Sequence, residues 1–440
     1  MIIGNGIVLT NDEAGRVLHA GAVLVRGQEI SEVGDFALLK AKYPQEEVYD
    51  VGGRLIMPGM INAHSHIYSA FARGFGPKDP TRNFLEILEN LWWHLDKELT
   101  VEDARYSAYG TLSDSIAQGV TTVIDHHASP HHITGSLSAI AEAARDLGIR
   151  TSLCYETSDR DGEAIAREGI RENADFIRQA NADDSGLIHG LFGLHASFTL
   201  SEETLYACRE AAQGLDTGFH IHVAEGSDDE AVTQARYGMR VVHRLEKHGI
   251  LGPKTLAVHC IHADDEELDR ILATDTMVVH NPESNMGNAV GTSPVIKMLK
   301  KGILVGLGTD AYTNDMFESM KVAKILQSHA LADPTVGFGE ALTLQFKNNP
   351  RILSRYFKKP LGLLSPGAYA DLIVVDYDPL TPLNQTTWGG HVLFGLSGYK
   401  VKDTMINGRF VMKDRVFLTV DHPRLMANCR DHAQKLWSRL

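Results

Sequence analysis

Eight short apolar segments, separated by stretches of helical periodicity, govern what this 440-residue chain can fold into. They are LIMPGMINAHSH (55–66), GVTTVIDHH (119–127), IRTSLCYE (149–156), LIHGLFGLHA (187–196), TGFHIHVAE (217–225), TLAVHCIH (255–262), TMVVHNPES (276–284) and ILVGLGTDA (303–311). Near-continuous apolar runs of this length are the pattern of strands covered on both faces. The intervening VEDARYSAYGTLSDSIAQG, SEETLYACREAAQG and ADDEELDRILATD each begin with an acidic first turn, which complements the positive end of a helix dipole. Repeated strand–helix units with buried strands predict an α/β fold, specifically a (β/α)8 TIM barrel. Such barrels take about 250 residues, so a barrel domain over 57–367 leaves room for insertions.

The two chain ends read differently. Residues 1–56 contain IIGNGIVLT, GAVLVRGQEISEVG and VYDVGGRLIM, short strands broken by turn residues. The last 70 or so residues begin with ADLIVVDYD and continue to VKDTMINGRFVMKDR, where Asn407-Gly408 between strand-like segments is a type I′ hairpin signal. The ends are therefore expected to pair into one small β-sandwich domain, made of 1–56 and 368–440.

Polar residues recur at one topological position. The apolar segments end in, or run into, His64-x-His66, Asp125-His126-His127, His195, His220, His222 and Glu225, His259 and His262, His280-Asn281 and Asn285, and Thr309-Asp310. In a barrel these C-terminal strand ends open on one face, where catalysis takes place. Taken singly, a strand histidine is ordinarily a hydrogen-bonded core residue, and an aspartate after Gly-Thr is ordinarily a helix N-cap. It is the repetition from strand to strand that points to a site.

Residues two apart on a strand share a direction, so His64 and His66 form one pair and His220 and His222 another. A divalent metal such as zinc takes imidazole nitrogens and a carboxylate oxygen, with one position left for water. Two histidines from the first strand, one from the fifth and Asp310 supply that set. Zinc and iron both accept it. The ion would lower the pKa of a water from 15.7 to about 7, giving hydroxide at neutral pH. Glu225, three residues beyond His222, stands where it can shuttle protons.

Composition removes other classes. A net charge of −14 and a pI near 5.8 repel phosphate backbones, so nucleic acid is not an expected partner. The four cysteines, Cys154, Cys208, Cys260 and Cys429, form no Cys-x-x-Cys pair. That argues against a disulfide framework or zinc finger and fits a reducing cytoplasm. The N-terminus lacks the basic start and apolar run of a signal peptide, and no apolar stretch reaches transmembrane length.

With these residues in place, the chain resembles the amidohydrolase superfamily. The stretches that carry the resemblance are PGMINAHSH (58–66), HIHVAE (220–225), AVHCIH (257–262), HNPESN (280–285) and GLGTDA (306–311). With the split β domain they span essentially the whole chain. The branch it looks like is that of the deaminases and chlorohydrolases. LWWHLDKEL (91–99), DHHASP (125–130), CYETSDRDG (154–162) and GGHVLFGLSG (389–398) look more narrowly like the SsnA-type aminohydrolases.

The resemblance implies a homodimer acting on a small heterocycle, with His64, His66, His222 and Asp310 as metal ligands. His220 is the runner-up ligand on its strand. The implied roles are proton delivery to a ring nitrogen for Glu225, polarisation of the attacking water for His259, and proton transfer to leaving ammonia for Asp310. His195 and Asn285 carry over as substrate contacts. Members with two metals bridge them through a lysine at the end of strand four; residues 187–196 contain none, so one ion is expected. HNPESN is followed by MGNAVG, a departure from the branch at a pocket loop that bears on substrate identity.

His126, Glu156 and Arg160 are further substrate-binding candidates from their positions alone. His126 and His127 point to opposite sides of their strand, and one can face the pocket. Glu156 and Arg160 follow the third strand, where a solvated salt bridge is the plainer reading. In NFLEILENLWWHLDKEL, Leu85, Leu88, Trp92 and Leu95 form a helical stripe after the first strand, where an insertion can cover the active site, although packing alone would explain the stripe; Tyr68, Arg73 and Phe75 precede it and could line the mouth. The expected reaction is hydrolytic deamination of a purine, pyrimidine, pterin or triazine type of ring. Cyclic-amide ring opening or dechlorination on the same site is the alternative, and a non-catalytic barrel the remote one.

Overall fold

The computed structural model describes all 440 residues, Met1–Leu440. The N-terminal part forms β1 (Ile2–Leu9), β2 (Val17–Arg26), β3 (Glu29–Asp35), β4 (Val48–Asp50) and β5 (Leu55–Pro58). Next come β6 (Met60–Ser65), β7 (Val120–Asp125), β8 (Arg150–Leu153) and β9 (Ile188–Gly190), a parallel four-stranded sheet in that order. A second parallel sheet has five strands: β10 (Phe192–Ala196), β11 (Phe219–Val223), β12 (Leu256–His259), β13 (Met277–His280) and β14 (Val305–Leu307). Every residue of these nine strands is buried, in keeping with strands covered on both faces.

The two parallel sheets meet at both edges. Segment 187–196 serves both, because Leu191 N–H donates to the Leu153 carbonyl while Phe192 N–H donates to that of Gly218. A parallel bridge also joins Thr157 to Leu194. At the other edge Ser65 bridges to Asp310, and the N–H groups of Thr309 and Asp310 both donate to the His64 carbonyl at 3.0 Å.

The chain ends do come together. β15 (Leu372–Val375), β16 (Val401–Ile406), β17 (Arg409–Lys413) and β18 (Val416–Phe417) join the N-terminal strands in one nine-stranded sheet. Its order is β18-β17-β16-β15-β5-β1-β2-β3, with β4 also on β1. β16 and β17 make the expected hairpin, with Asn407 at φ 53° and Gly408 at φ 76°, both positive as a type I′ turn demands. The run at 55–66, read from sequence as one strand, is two: β5 lies in the nine-stranded sheet and β6 in the parallel one. Gly59 stands at the handover, where a Cβ would lie 2.2 Å from the Thr121 side chain.

The helices between the parallel strands start where the sequence sets them. Thr100 and Asp103 form a capping box on Val101–Ala117, Asp264 and Glu267 another on Asp265–Ala273, and Ser201 caps Glu202–Ala212. One insertion departs from the repeat. Residues 84–98 run as a helix, capped by Asn83, across the C-terminal ends of the parallel strands. No helix is long and apolar enough to cross a membrane.

Candidate metal centre and substrate cavity

β6 delivers His64 and His66 to the same side, with ring centroids 5.0 Å apart. β11 brings His222 to 5.2 Å from His64 and 5.3 Å from His66. Asp310 follows β14 at φ 56°, and this turn aims its carboxylate at the same point: Oδ1 lies 3.3 Å from His66 Nε2 and 3.9 Å from His64 Nε2. Ser284 Oγ donates to Asp310 Oδ2 at 2.6 Å.

The second nitrogens fix the tautomers. His66 Nδ1 donates to the His126 carbonyl at 2.7 Å and His222 Nδ1 to the His195 carbonyl at 3.1 Å. A carbonyl only accepts, so Nδ1 carries a proton in both rings and Nε2 is the nitrogen turned inward, the one available to a metal. His64 Nε2 is fully buried with no hydrogen-bond partner. Burial holds His64 and His222 well below the ordinary imidazole pKa, hence neutral. Lone pairs converging beside a carboxylate, one of them orphaned, are what a divalent cation needs, and the residues fit it.

His259 ends β12 at φ 72°. Its Nδ1 lies 2.8 Å from Asn285 Oδ1, which leaves Nε2 facing Glu225 Oε2 at 3.4 Å and Asp310 Oδ2 at 3.6 Å. Glu225 receives one hydrogen bond, from Asn288 Nδ2 at 3.4 Å. Burial, with the Asp310 carboxylate adding to it, raises the Glu225 carboxyl well above its usual range.

Beside this cluster opens a cavity lined by Tyr68, Glu156, His195, Phe198, Glu225 and Asn288, among others, and roofed by the insertion helix. Of the expected substrate contacts, Glu156 and His195 line it. His126 and Asn285 do not. Both are fully buried behind the wall, His126 beside Glu156 Oε2 at 3.2 Å and Asn285 against His259. Their polar groups face protein partners instead of the cavity, which corrects the direct contact expected of them. Arg160 is also turned away: it pairs with Asp96 at 2.5 Å and lies 3.9 Å from Glu156 Oε1. The solvated salt bridge expected there is in fact buried.

His220 shares the direction of His222 but lies one layer deeper, with its Nε2 2.9 Å from His64 Nδ1. Leu88 and Trp92 of the stripe line the cavity as well as packing. Phe84, Trp93 and Asp96 line it too and lay outside the sequence expectation. Trp93 sits one position off the stripe, so periodicity gave no sign of it. Asp96 carried one available signal, an acid embedded in the apolar run LWWHLDKEL.

A protein-family model described as the amidohydrolase family matches residues 55–411. A 5'-deoxyadenosine deaminase of Methanosarcina mazei is 30% identical over 447 residues, covering 100% of this chain and 99% of that protein. A 5-methylthioadenosine/S-adenosylhomocysteine deaminase of Syntrophobacter fumaroxidans is 32% identical over 440 residues, covering 98% and 97%. Among solved structures, an adenosine deaminase from Xanthomonas campestris with bound zinc superposes with a TM-score of 0.88 at 23% identity, over 99% of this chain and 98% of that one. The guanine deaminase of E. coli superposes with a TM-score of 0.80 at 20% identity, over 94% and 99%. At these identities the solved structures speak for the fold.

Proposed function

The chain belongs to the amidohydrolase family, and from that premise we propose that it hydrolytically deaminates an amino-substituted heterocycle. The observation that carries the reading is the convergence of His64, His66, His222 and Asp310 beside a buried Glu225 and His259. Relatives named as deaminases of adenosine derivatives support the reaction class.

His64, His66, His222 and Asp310 would hold one divalent ion, most simply zinc, as in the solved adenosine deaminase. Such an ion, when bound, supplies Lewis acidity that brings the pKa of a water down to about 7. Glu225, kept protonated by burial, donates to the ring nitrogen next to the carbon under attack. His259, oriented by Asn285, presents Nε2 to the attacking water and then to the oxygen of the tetrahedral adduct. Asp310 takes the proton of the water and passes it to the amino group, which leaves as ammonia.

We read the two parallel sheets as one closed (β/α)8 barrel, supported by the bonds at both edges. We divide the chain into a barrel domain, 57–367, and a β-sandwich domain of 1–56 and 368–440. One apolar cluster draws Ile3, Val8 and Val23 together with Leu372, Val374 and Met405, which supports a sheet folded over itself. The helix His422–Trp437 belongs to the second piece by sequence, yet its Leu436 packs with Tyr68, Phe71, Leu95 and Leu99 at the barrel mouth. Four buried, unpaired cysteines fit a cytoplasmic protein, and the homodimer rests on the family resemblance.

The test is ammonia release from purines, pyrimidines, pterins and triazines by zinc-replete protein. Release from at least one ring, abolished by chelation, is expected. Turnover without ammonia would replace deamination by ring opening or dehalogenation.

A further inference from the structure

The cavity wall on the β8–β10 side, away from Glu225 and Asp310, carries two acceptors, His195 Nε2 and Glu156 Oε1. Thr199 Oγ1 donates to the Ala196 carbonyl at 3.1 Å and lies 2.7 Å from His195 Nδ1. With the hydroxyl proton committed to the carbonyl, its oxygen accepts from His195 Nδ1–H. His195 therefore turns Nε2 to the cavity as an acceptor. That Nε2 lies 3.6 Å from Glu156 Oε1, and Arg160 Nη2 is 3.9 Å from the same oxygen, both beyond hydrogen-bond length.

The other carboxylate oxygen is occupied. Glu156 Oε2 is 3.2 Å from His126 Nδ1, whose Nε2 donates to the His220 carbonyl at 3.1 Å. Glu156 Oε1 makes no hydrogen bond within the protein and remains an acceptor. Both residues line the cavity, so a donor placed between the two acceptors would satisfy both. No lysine or arginine lines the cavity, so a phosphate on the substrate meets no cation. Trp93 stands 5.9 Å from His195 and adds a flat aromatic wall.

We infer that Glu156 Oε1 and His195 Nε2 form a paired-acceptor subsite for ring N–H groups. The substrate is then an uncharged free-base heterocycle with an N–H beyond its reacting amidine edge. This rests on the deaminase reading above. Deamination uses the N=C–NH2 edge, which faces Glu225. A guanine, cytosine or pterin type of free base still offers an N–H elsewhere on the ring. The ring of an adenine substituted at N9 offers only the acceptors N3 and N7 there; a ribose would add hydroxyl donors, so 9-methyladenine is the donor-free comparison.

The experiment has a binding arm and a turnover arm, on zinc-replete full-length protein. In the first, xanthine and uracil are titrated against their N-methylated counterparts caffeine and 1,3-dimethyluracil. The N–H compounds should bind about ten-fold tighter or better, and Glu156→Gln should reduce the difference to about three-fold or less. His195→Asn, which offers a different atom at the second acceptor, should shrink it as well. Equal binding of both sets, or an undiminished preference in both variants, overturns the subsite. So does a second zinc per chain that Glu156→Gln removes, since the pair would then be metal ligands.

In the second arm, free bases bearing an N–H are compared with 9-methyladenine for ammonia release. Faster release from the free bases, with the ratio falling in Glu156→Gln, supports the subsite. 9-Methyladenine turned over as fast, with the ratio unmoved by Glu156→Gln, overturns the subsite and leaves deamination standing. No ammonia from any ring removes the deaminase reading, and the binding arm still decides the subsite.

Discussion

His220 Nε2 lies 2.9 Å from His64 Nδ1, directly behind the ring expected to ligate metal. The two-residue step from His222 back to His220 is roughly 6.6 Å along a strand, which places His220 one layer deeper with its Nδ1 3.5 Å from Cys154 Sγ. A proton on His64 Nδ1, given to His220, frees His64 Nε2 for the ion. Replacing His220 by leucine should weaken zinc binding about 10- to 100-fold. Glutamine can still accept through its side-chain oxygen and should recover much of that loss. Chelator competition on the three proteins decides it, and equal affinities would remove His220 from the metal site's support.

Glu225 is outside the proposed ligand set, so its removal separates chemistry from metal binding. Glu225→Gln keeps the shape and loses the transferable proton. Turnover should fall by about 10²- to 10⁴-fold, with zinc content unchanged by elemental analysis. Loss of the metal together with activity would instead place Glu225 among the ligands.

Arg160 holds two acids inside the protein, Asp96 at 2.5 Å and Glu156 at 3.9 Å. Burial pushes Asp96 up to about 6, with Arg160 opposing the rise. A carboxyl whose folded pKa exceeds its unfolded one keeps its proton longer in the fold, so stability falls as pH rises from about 4 towards 6. Arg160→Met removes the opposing charge and carries that decline to higher pH. The variant should lose about 3–5 kcal/mol at pH 8 and much less at pH 5. Urea unfolding at both pH values checks it; a deficit independent of pH would mean that packing, not charge, was lost.

The parallel strands, their alternation with helices and the convergence of His64, His66, His222 and Asp310 were legible because each rests on a local rule: an apolar run, a period of two, or a polar residue at a strand end. The chain-end sheet was legible for the same reason, through Asn407-Gly408. What escaped depends on depth. Period two gives His220 and His222 the same direction and says nothing of layers, and only the β11 register puts one against the other's neighbour. Asn285 and His126 were expected at the substrate because they stand at strand ends, but a strand end has a back as well as a mouth. The roof was the least legible part, because Trp93 reaches the cavity from an insertion whose docking no periodic rule encodes.

Metal removal should be felt in stability. Without the ion, His64 Nε2 and His259 Nε2 stay buried and unpartnered. An ion that binds only the folded chain adds about 4 kcal/mol at a free concentration of 1,000 times its Kd. Denaturation midpoints should therefore rise with free zinc and fall after chelation. A midpoint indifferent to zinc would contradict a structured site.

Trp93 closes the cavity over His195 and Phe198, at ring-centroid distances of 5.9 Å and 6.5 Å, and the Arg160 guanidinium lies 5.0 Å from its ring. It touches no member of the metal cluster, so its contribution to a flat substrate is the same in the ground and transition states. Such uniform binding appears in KM rather than kcat. Trp93→Ala should raise KM about ten-fold while kcat changes less than about three-fold, and Trp93→Phe should restore most of the affinity. A fall in kcat at constant KM would mean that the helix roof shapes the reacting geometry instead. In that case Asp96, on the same helix and tied to Arg160, is the residue through which it would act.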